Sequence, residues 1–290
     1  MTVIDAQVHA YEANTPARPW RLAPGAPAYH FHDHVTGDEV VEAMNRVGVD
    51  GAILVSPISM YGYDASYAME VQRAHPGRFG LVKPIDSDDP AAVDIIAEWK
   101  KTPGAVGIRI LMGVGWPGEP NRSGFDRILR EAARQDFPVN FFCWGNLDAA
   151  MGLIDRNPNT RFVIDHLGIP QPLTPPVPAE PWTDLPKVLE LAKRPNAAIK
   201  VTGACTLAHE PYPYRDIWDP LAQLFDAWGF ERCLWGTDWT RAVALVDYDE
   251  SVEAFRMTDR LSQSERAMLM GGACARVYGW SPRSSDDSPA

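Results

Sequence analysis

Val3-Ile4-Asp5-Ala6-Gln7-Val8-His9 opens the chain with a short run of alternating character. Successive side chains on a strand point to opposite faces, so Asp5, Gln7 and His9 fall on one face and Ile4, Ala6 and Val8 on the other. A carboxylate, an amide and an imidazole backed by apolar residues suit a strand whose polar end lines a cavity. A strand with one wet face satisfies the same pattern. What separates the two readings is the rest of the chain.

Seven more short apolar runs follow, over 51–56, 79–85, 105–110, 138–143, 161–165, 197–202 and 232–236. The stretches 38–47, 64–75, 90–101, 124–135, 147–157, 185–193 and 217–228 read as helices between them, and two more over 248–260 and 262–278 close the pattern. Near-continuous Val/Ile/Leu runs belong to strands buried on both faces, as in a parallel sheet. Eight such strands alternating with helices over roughly 250–280 residues, with no linker, predict an α/β fold: a single (β/α)8 TIM barrel over residues 1–280 with extra C-terminal helices. The Ser/Asp/Pro-rich tail, 281–290, is expected to be disordered.

Composition narrows the partners. The 290 residues are 46% hydrophobic and 22% charged, with 27 basic against 38 acidic residues, a net charge of −11. No Lys/Arg cluster interrupts that acidity, which speaks against a nucleic-acid surface. An anionic small substrate stays compatible, because exposed charges are screened beyond roughly 8 Å at physiological salt. The four cysteines, Cys143, Cys205, Cys233 and Cys274, are far apart and read as reduced, buried thiols. No apolar run reaches ~18 residues and no leader pattern precedes the first strand. A cytoplasmic protein with a small-molecule substrate, no nucleic acid and no membrane is expected; homo-oligomerisation is left open.

The 28 residues from Ala10 to Gly37 make a long connection, rich in Pro and aromatics, with His30, His32 and His34 near its end. Loops of this length are usually functional or disordered; Trp20, Tyr29 and Phe31 favour an ordered lid. The alternate histidines read as loop residues, since no carboxylate or cysteine set accompanies them.

In a TIM barrel the chemistry sits where strands end. Those ends carry His9, Arg109, Cys143-Trp144, His166, Lys200 with Thr202, and Asp238. Polar residues recurring at one edge are poor core filler.

These residues carry a resemblance. Ile4-Asp5-Ala6-Gln7-Val8-His9, Gly107-Ile108-Arg109, Asp165-His166-Leu167-Gly168, Lys200-Val201-Thr202-Gly203 and Gly236-Thr237-Asp238-Trp239 look like the amidohydrolase-2 family of the amidohydrolase superfamily, nearest its lactonase branch. The resemblance implies a metal set of His-x-His on strand 1, Lys or Glu on strand 4, His on strands 5 and 6, and Asp on strand 8. This chain departs from it: Gln7 replaces the first histidine, strand 5 has none, and strand 4 carries Arg109, which cannot ligate. His9, His166 and Asp238 remain, enough with water for one Zn²⁺. A guanidinium in the same pocket repels a dication, so a metal-free site with no cofactor is expected, with one divalent zinc on those three residues as the alternative.

The resemblance then implies opening of a lactone of a polar or carboxylate-bearing molecule. Asp238 would activate water as general base while His9 and His166 polarise the carbonyl. Arg109 and Arg241 fit a substrate carboxylate. Gln7 and Lys200 join the substrate-binding set, although a salt-bridged Lys200 low in the barrel is an equal reading. Tyr61, Trp116, Trp144 and Trp239 can wall the substrate. A metal-dependent decarboxylase of an aromatic acid and a non-catalytic ligand-binding barrel stay open as other readings.

Overall fold

The computed structural model describes residues 1–21, 32–112 and 123–283. Eight strands form one parallel sheet in sequence order: β1 (Ile4–Val8), β2 (Gly51–Val55), β3 (Phe79–Pro84), β4 (Ala105–Leu111), β5 (Val139–Phe142), β6 (Phe162–Ile164), β7 (Ala197–Thr202) and β8 (Cys233–Gly236). Helices separate successive strands, and the sheet curls into a nearly closed TIM barrel. Nearly every strand residue is buried, as the apolar runs require.

Closure is made by β1 against the end of β8. The Asp238 N–H donates to the Gln7 carbonyl at 3.1 Å. The Asp5 carboxylate accepts from the Thr237 N–H at 3.0 Å and the Thr237 hydroxyl at 2.6 Å. Gly236 is needed for this approach, because a Cβ there would lie 2.7 Å from Asp5 Oδ1 and 2.8 Å from the Ala6 nitrogen.

Strict alternation in β1 does not hold. The β1–β2 register shifts between Asp5 and Val8. Ile4 and Ala6 pack into one apolar cluster with Val163, Ala198 and Leu234, yet Gln7 reaches Lys200, two positions along from Ala198. The irregularity turns Gln7 and His9 inward while Asp5 stays at the seam with β8, the re-aiming a bulge performs.

The C-terminal helices stopper that inner cluster with Ala273, Cys274 and Tyr278. The sequence predicts one helix over 262–278. It is instead Gln263–Ala267, a π-helical turn Met268–Gly272 and Ala273–Tyr278. Gly271 explains the break: a Cβ there would sit 2.1 Å from the Thr2 carbonyl, so the helix presses on the entry to β1.

The long connection after β1 is pinned at its base. Tyr11 and Val35 exchange backbone hydrogen bonds of 2.7 and 2.9 Å, and Trp20 packs edge-on against Tyr11. Its middle, with Tyr29, His30 and Phe31, lies outside the described residues, as do Trp116 and the tail beyond residue 283. His32 and His34 are exposed, His34 beside Glu39 at 3.4 Å.

Candidate active site

The short strand β6 delivers the densest chemistry, because Asp165 and His166 follow it directly. His166 and Leu167 take left-handed backbone conformations, φ 51° and 61°, and so does Asp238 after β8, φ 51°. Side chains rarely adopt this region, which costs about 1–2 kcal/mol per residue. Here it turns an imidazole and a carboxylate toward each other.

Asp238 Oδ2 lies 3.2 Å from His166 Nδ1 and accepts from Arg241 Nε. Its Oδ1 has no hydrogen-bond partner among the described residues and lies 3.5 Å from His9 Nε2. Burial pushes the Asp238 carboxyl up, but Arg241 and then His166 outweigh it and hold the group well below the usual carboxylate range. His9 is fixed at both ends. Its backbone N–H donates to Thr240 Oγ1 at 3.0 Å, and its ring Nδ1 lies 2.7 Å from the Val55 carbonyl, so Nδ1 carries a proton and Nε2 faces Asp238.

Behind these side chains lies a fully buried ionic network. Asp165 Oδ2 accepts from Arg109 Nε at 2.7 Å, and its Oδ1 lies 3.1 Å from Lys200 Nζ. Burial would raise the Asp165 carboxyl, but Lys200 and Arg109 together hold it at about 2. Burial also pulls the Lys200 ammonium down, against Asp165. Lys200 Nζ donates to Gln7 Oε1 at 2.7 Å, and Gln7 Nε2 reaches His166 Nε2 at 3.1 Å and His9 Nε2 at 3.5 Å. Arg109 Nη2 lies 3.3 Å from the same His166 nitrogen. His166 Nδ1 faces Thr202 Oγ1 at 3.1 Å as well as Asp238. Burial pushes the His166 imidazole down to about 3, so it is neutral at pH 7.

His166 thus meets both Arg109 and Asp238, and His9 lies 3.5 Å from Asp238, which links the four in a single cluster. Three positions differ in company from the sequence reading. Gln7 and Lys200 are fully buried and spent on each other, and Arg109 is spent on Asp165 and His166. Among the described residues Gln7 and Lys200 are engaged by other buried side chains, and Arg109 gives its Nε to Asp165 and its Nη2 to His166. The physical reason is that a buried cation must be paired, and the barrel interior supplies Asp165.

Arg241 is the arginine nearer solvent. Besides Asp238 it donates to Gln171 Oε1 at 2.7 Å and the Pro172 carbonyl at 3.3 Å, and it lies over the Trp144 ring at 5.6 Å. Trp144 also packs edge-on against His166, and its buried Nε1 has no hydrogen-bond partner among the described residues. Trp239 packs on Tyr248, and the Tyr61 hydroxyl is held by the Glu12 N–H. Asp165, Thr202 and Gln171 complete the cluster. Asp165 could have been found from the need of two strand-borne cations for a carboxylate; nothing in the sequence marks Gln171.

The donor set does not suit a metal ion. The Gln7 amide nitrogen stands against His166 Nε2 and near His9 Nε2, and a guanidinium shares the His166 contact. Among the described residues no three His, Cys, Asp or Glu side chains converge as a metal-holding group.

The amidohydrolase family's sequence profile matches residues 4–280, nearly the whole barrel. The chain belongs to the amidohydrolase family. A curated relative of this amidohydrolase, 4-sulfomuconolactone hydrolase of Rhizobium radiobacter, is 28% identical over 210 residues, 70% of this chain and 65% of the relative. The match thus spans just under two thirds of that relative's length. L-fucono-1,5-lactonase of Burkholderia multivorans is 33% identical over 96 residues, 31% of this chain and 32% of that enzyme. An amidohydrolase of Burkholderia multivorans crystallised with bound zinc shares the fold at a TM-score of 0.77 and 23% identity, over 97% of this chain and 100% of the other. No helix among the amidohydrolase's described residues is long and apolar enough to cross a membrane.

Proposed function

We propose that the protein is an ester-bond hydrolase that opens a lactone of a polar or carboxylate-bearing small molecule, with Asp238 as general base and without a metal. The two curated relatives act on lactones by name. The observation that carries the reading is the asymmetry of Asp238: Oδ2 is engaged by Arg241 and His166, while Oδ1 has no hydrogen-bond partner among the described residues and faces His9. A buried carboxylate oxygen left free by its neighbours is where a water would place its hydrogen.

In the step this implies, the water oxygen adds to the acyl carbon as its proton passes to Asp238 Oδ1. The ring C–O bond then breaks, and the proton goes to the departing ring oxygen, leaving an open-chain acid. His9 donates to the developing oxyanion from Nε2 when its ring is protonated, with Asp238 beside it to hold that charge. His166 has another part. Its Nε2 faces only donors and its Nδ1 faces Asp238, so it steadies the base instead of polarising the carbonyl. Trp144 Nε1 is an unclaimed donor in the wall, and Arg241 is better placed than Arg109 to meet a substrate anion. Two buried cations, Arg109 and Lys200, and the part-buried Arg241 against two carboxylates make the cluster hostile to a further dication, which supports the metal-free reading.

A panel of lactones assayed by acid release, with Asp238→Asn alongside, tests this. The substitution keeps the shape and removes the proton acceptor, so turnover should fall by about 10²–10⁴ with little change in KM. A folded Asp238→Asn protein with near wild-type turnover would end the base assignment. Release of carbon dioxide from an aromatic acid, with no lactone opened, would return the decarboxylase reading.

A further inference from the structure

The Gln7 amide is oriented without ambiguity. An ammonium only donates, so the end of Gln7 that meets Lys200 Nζ at 2.7 Å is the carbonyl oxygen, and the other end is the NH₂. That NH₂ points at His166 Nε2, 3.1 Å away, where Arg109 Nη2, also a donor, arrives at 3.3 Å. On the far side of the ring, Nδ1 meets a carboxylate oxygen and a hydroxyl, Asp238 Oδ2 at 3.2 Å and Thr202 Oγ1 at 3.1 Å. All of these side chains but Arg109, which is 4% exposed, are at most 1% exposed.

We infer that Gln7 is a positioning residue that sets the tautomer of His166 and takes up the space between the imidazoles that a metal ion would need. Donors on the Nε2 side leave that nitrogen its lone pair and put the proton on Nδ1, where it is donated to Asp238. Lys200 acts one step back, by fixing which end of the amide faces the ring, and Asp165 holds Lys200 in place. The chain Asp165, Lys200, Gln7, His166, Asp238 therefore orients the carboxylate without touching a substrate. An amide in this position does for the imidazole what a bound cation would do, occupying its Nε2 lone pair, while adding no charge. The inference stands whether or not the substrate is a lactone.

The test is the proton position in the full-length protein. With ¹⁵N-labelled histidine and signals assigned by removing one histidine at a time, long-range ¹H–¹⁵N spectra at pH 7 should show His166 protonated at Nδ1 and bare at Nε2. Gln7→Glu keeps the length and the bond to Lys200 but presents an acceptor to the ring, so the proton should appear on Nε2. Wild-type His166 with a bare Nδ1 overturns the inference, as does a folded Gln7→Glu protein whose His166 spectrum is unchanged. If that variant does not fold, the wild-type spectrum decides alone. Wild-type protein that keeps one equivalent of zinc after incubation and desalting also overturns it.

Discussion

Asp5, in the seam between β1 and β8, and Asp165, at the end of β6, are both fully buried and both well supplied with donors. Asp5 accepts from the Gln7 and Thr237 backbone N–H groups at 3.0 Å each and from the Thr237 hydroxyl at 2.6 Å. Asp165 meets a guanidinium at 2.7 Å and an ammonium at 3.1 Å. The neutral donors do not offset desolvation, and burial raises the Asp5 carboxyl to about 7. The two cations do offset it, and Asp165 is held at about 2. A barrel seam tolerates an acid that hovers near neutrality; a site that must keep Lys200 and Arg109 charged needs a permanent anion.

The comparison breaks most sharply at Asp165. Asp165→Asn leaves two buried cations without their counter-charge and should lower stability by about 3–5 kcal/mol. Urea unfolding at pH 7 measures it, and a loss under about 1 kcal/mol would mean the network carries little. Gly236→Ala comes next. Its Cβ would enter the seam, 2.7 Å from Asp5 Oδ1, and overpacking of this kind costs about 1–3 kcal/mol. Unfolding midpoints of the variant and its parent check this, and equal stability would show that the seam yields.

The smallest effect is also the most discriminating. Asp5→Asn keeps an acceptor for the seam donors and should cost about 1 kcal/mol near pH 5. The folded pKa of Asp5 is raised, so its contribution is complete below the unfolded value, about 3.9, and is lost as pH rises through about 7. Asp165 runs the other way: its stabilisation is present above about 3.9 and lost as pH falls toward about 2. Wild-type stability should therefore decline on both sides of mildly acidic pH. In Asp5→Asn the alkaline decline should flatten while the acid decline remains. An unchanged alkaline slope would show that Asp5 does not titrate in the folded protein.

Much of the barrel was legible because its strands are buried on both faces and so appear as unbroken apolar runs. His9, Arg109, His166 and Asp238 could be picked out because each sits at the end of one. Of their partners only Asp165 was within reach, as the carboxylate that two strand-borne cations require. Arg109 reads as a group waiting for a substrate and Lys200 as either that or a salt-bridged residue, and the meeting of β4, β6 and β7 shows both paired with Asp165. The shift in β1 was equally hidden, since alternation in a strand says nothing about where its register slips. The break at Met268–Gly272 depends on a contact with Thr2 at the other end of the chain.

The left-handed turns at His166, Leu167 and Asp238 carry a consequence for anyone who would retune this site. The direction in which the His166 and Asp238 side chains point is written into the main chain, at positions where most residues resist the required φ. Randomising these three codons would mostly sample misfolded turns. Diversity is better spent at Trp144 and Gln171, which flank Arg241 and bond neither Asp238 oxygen.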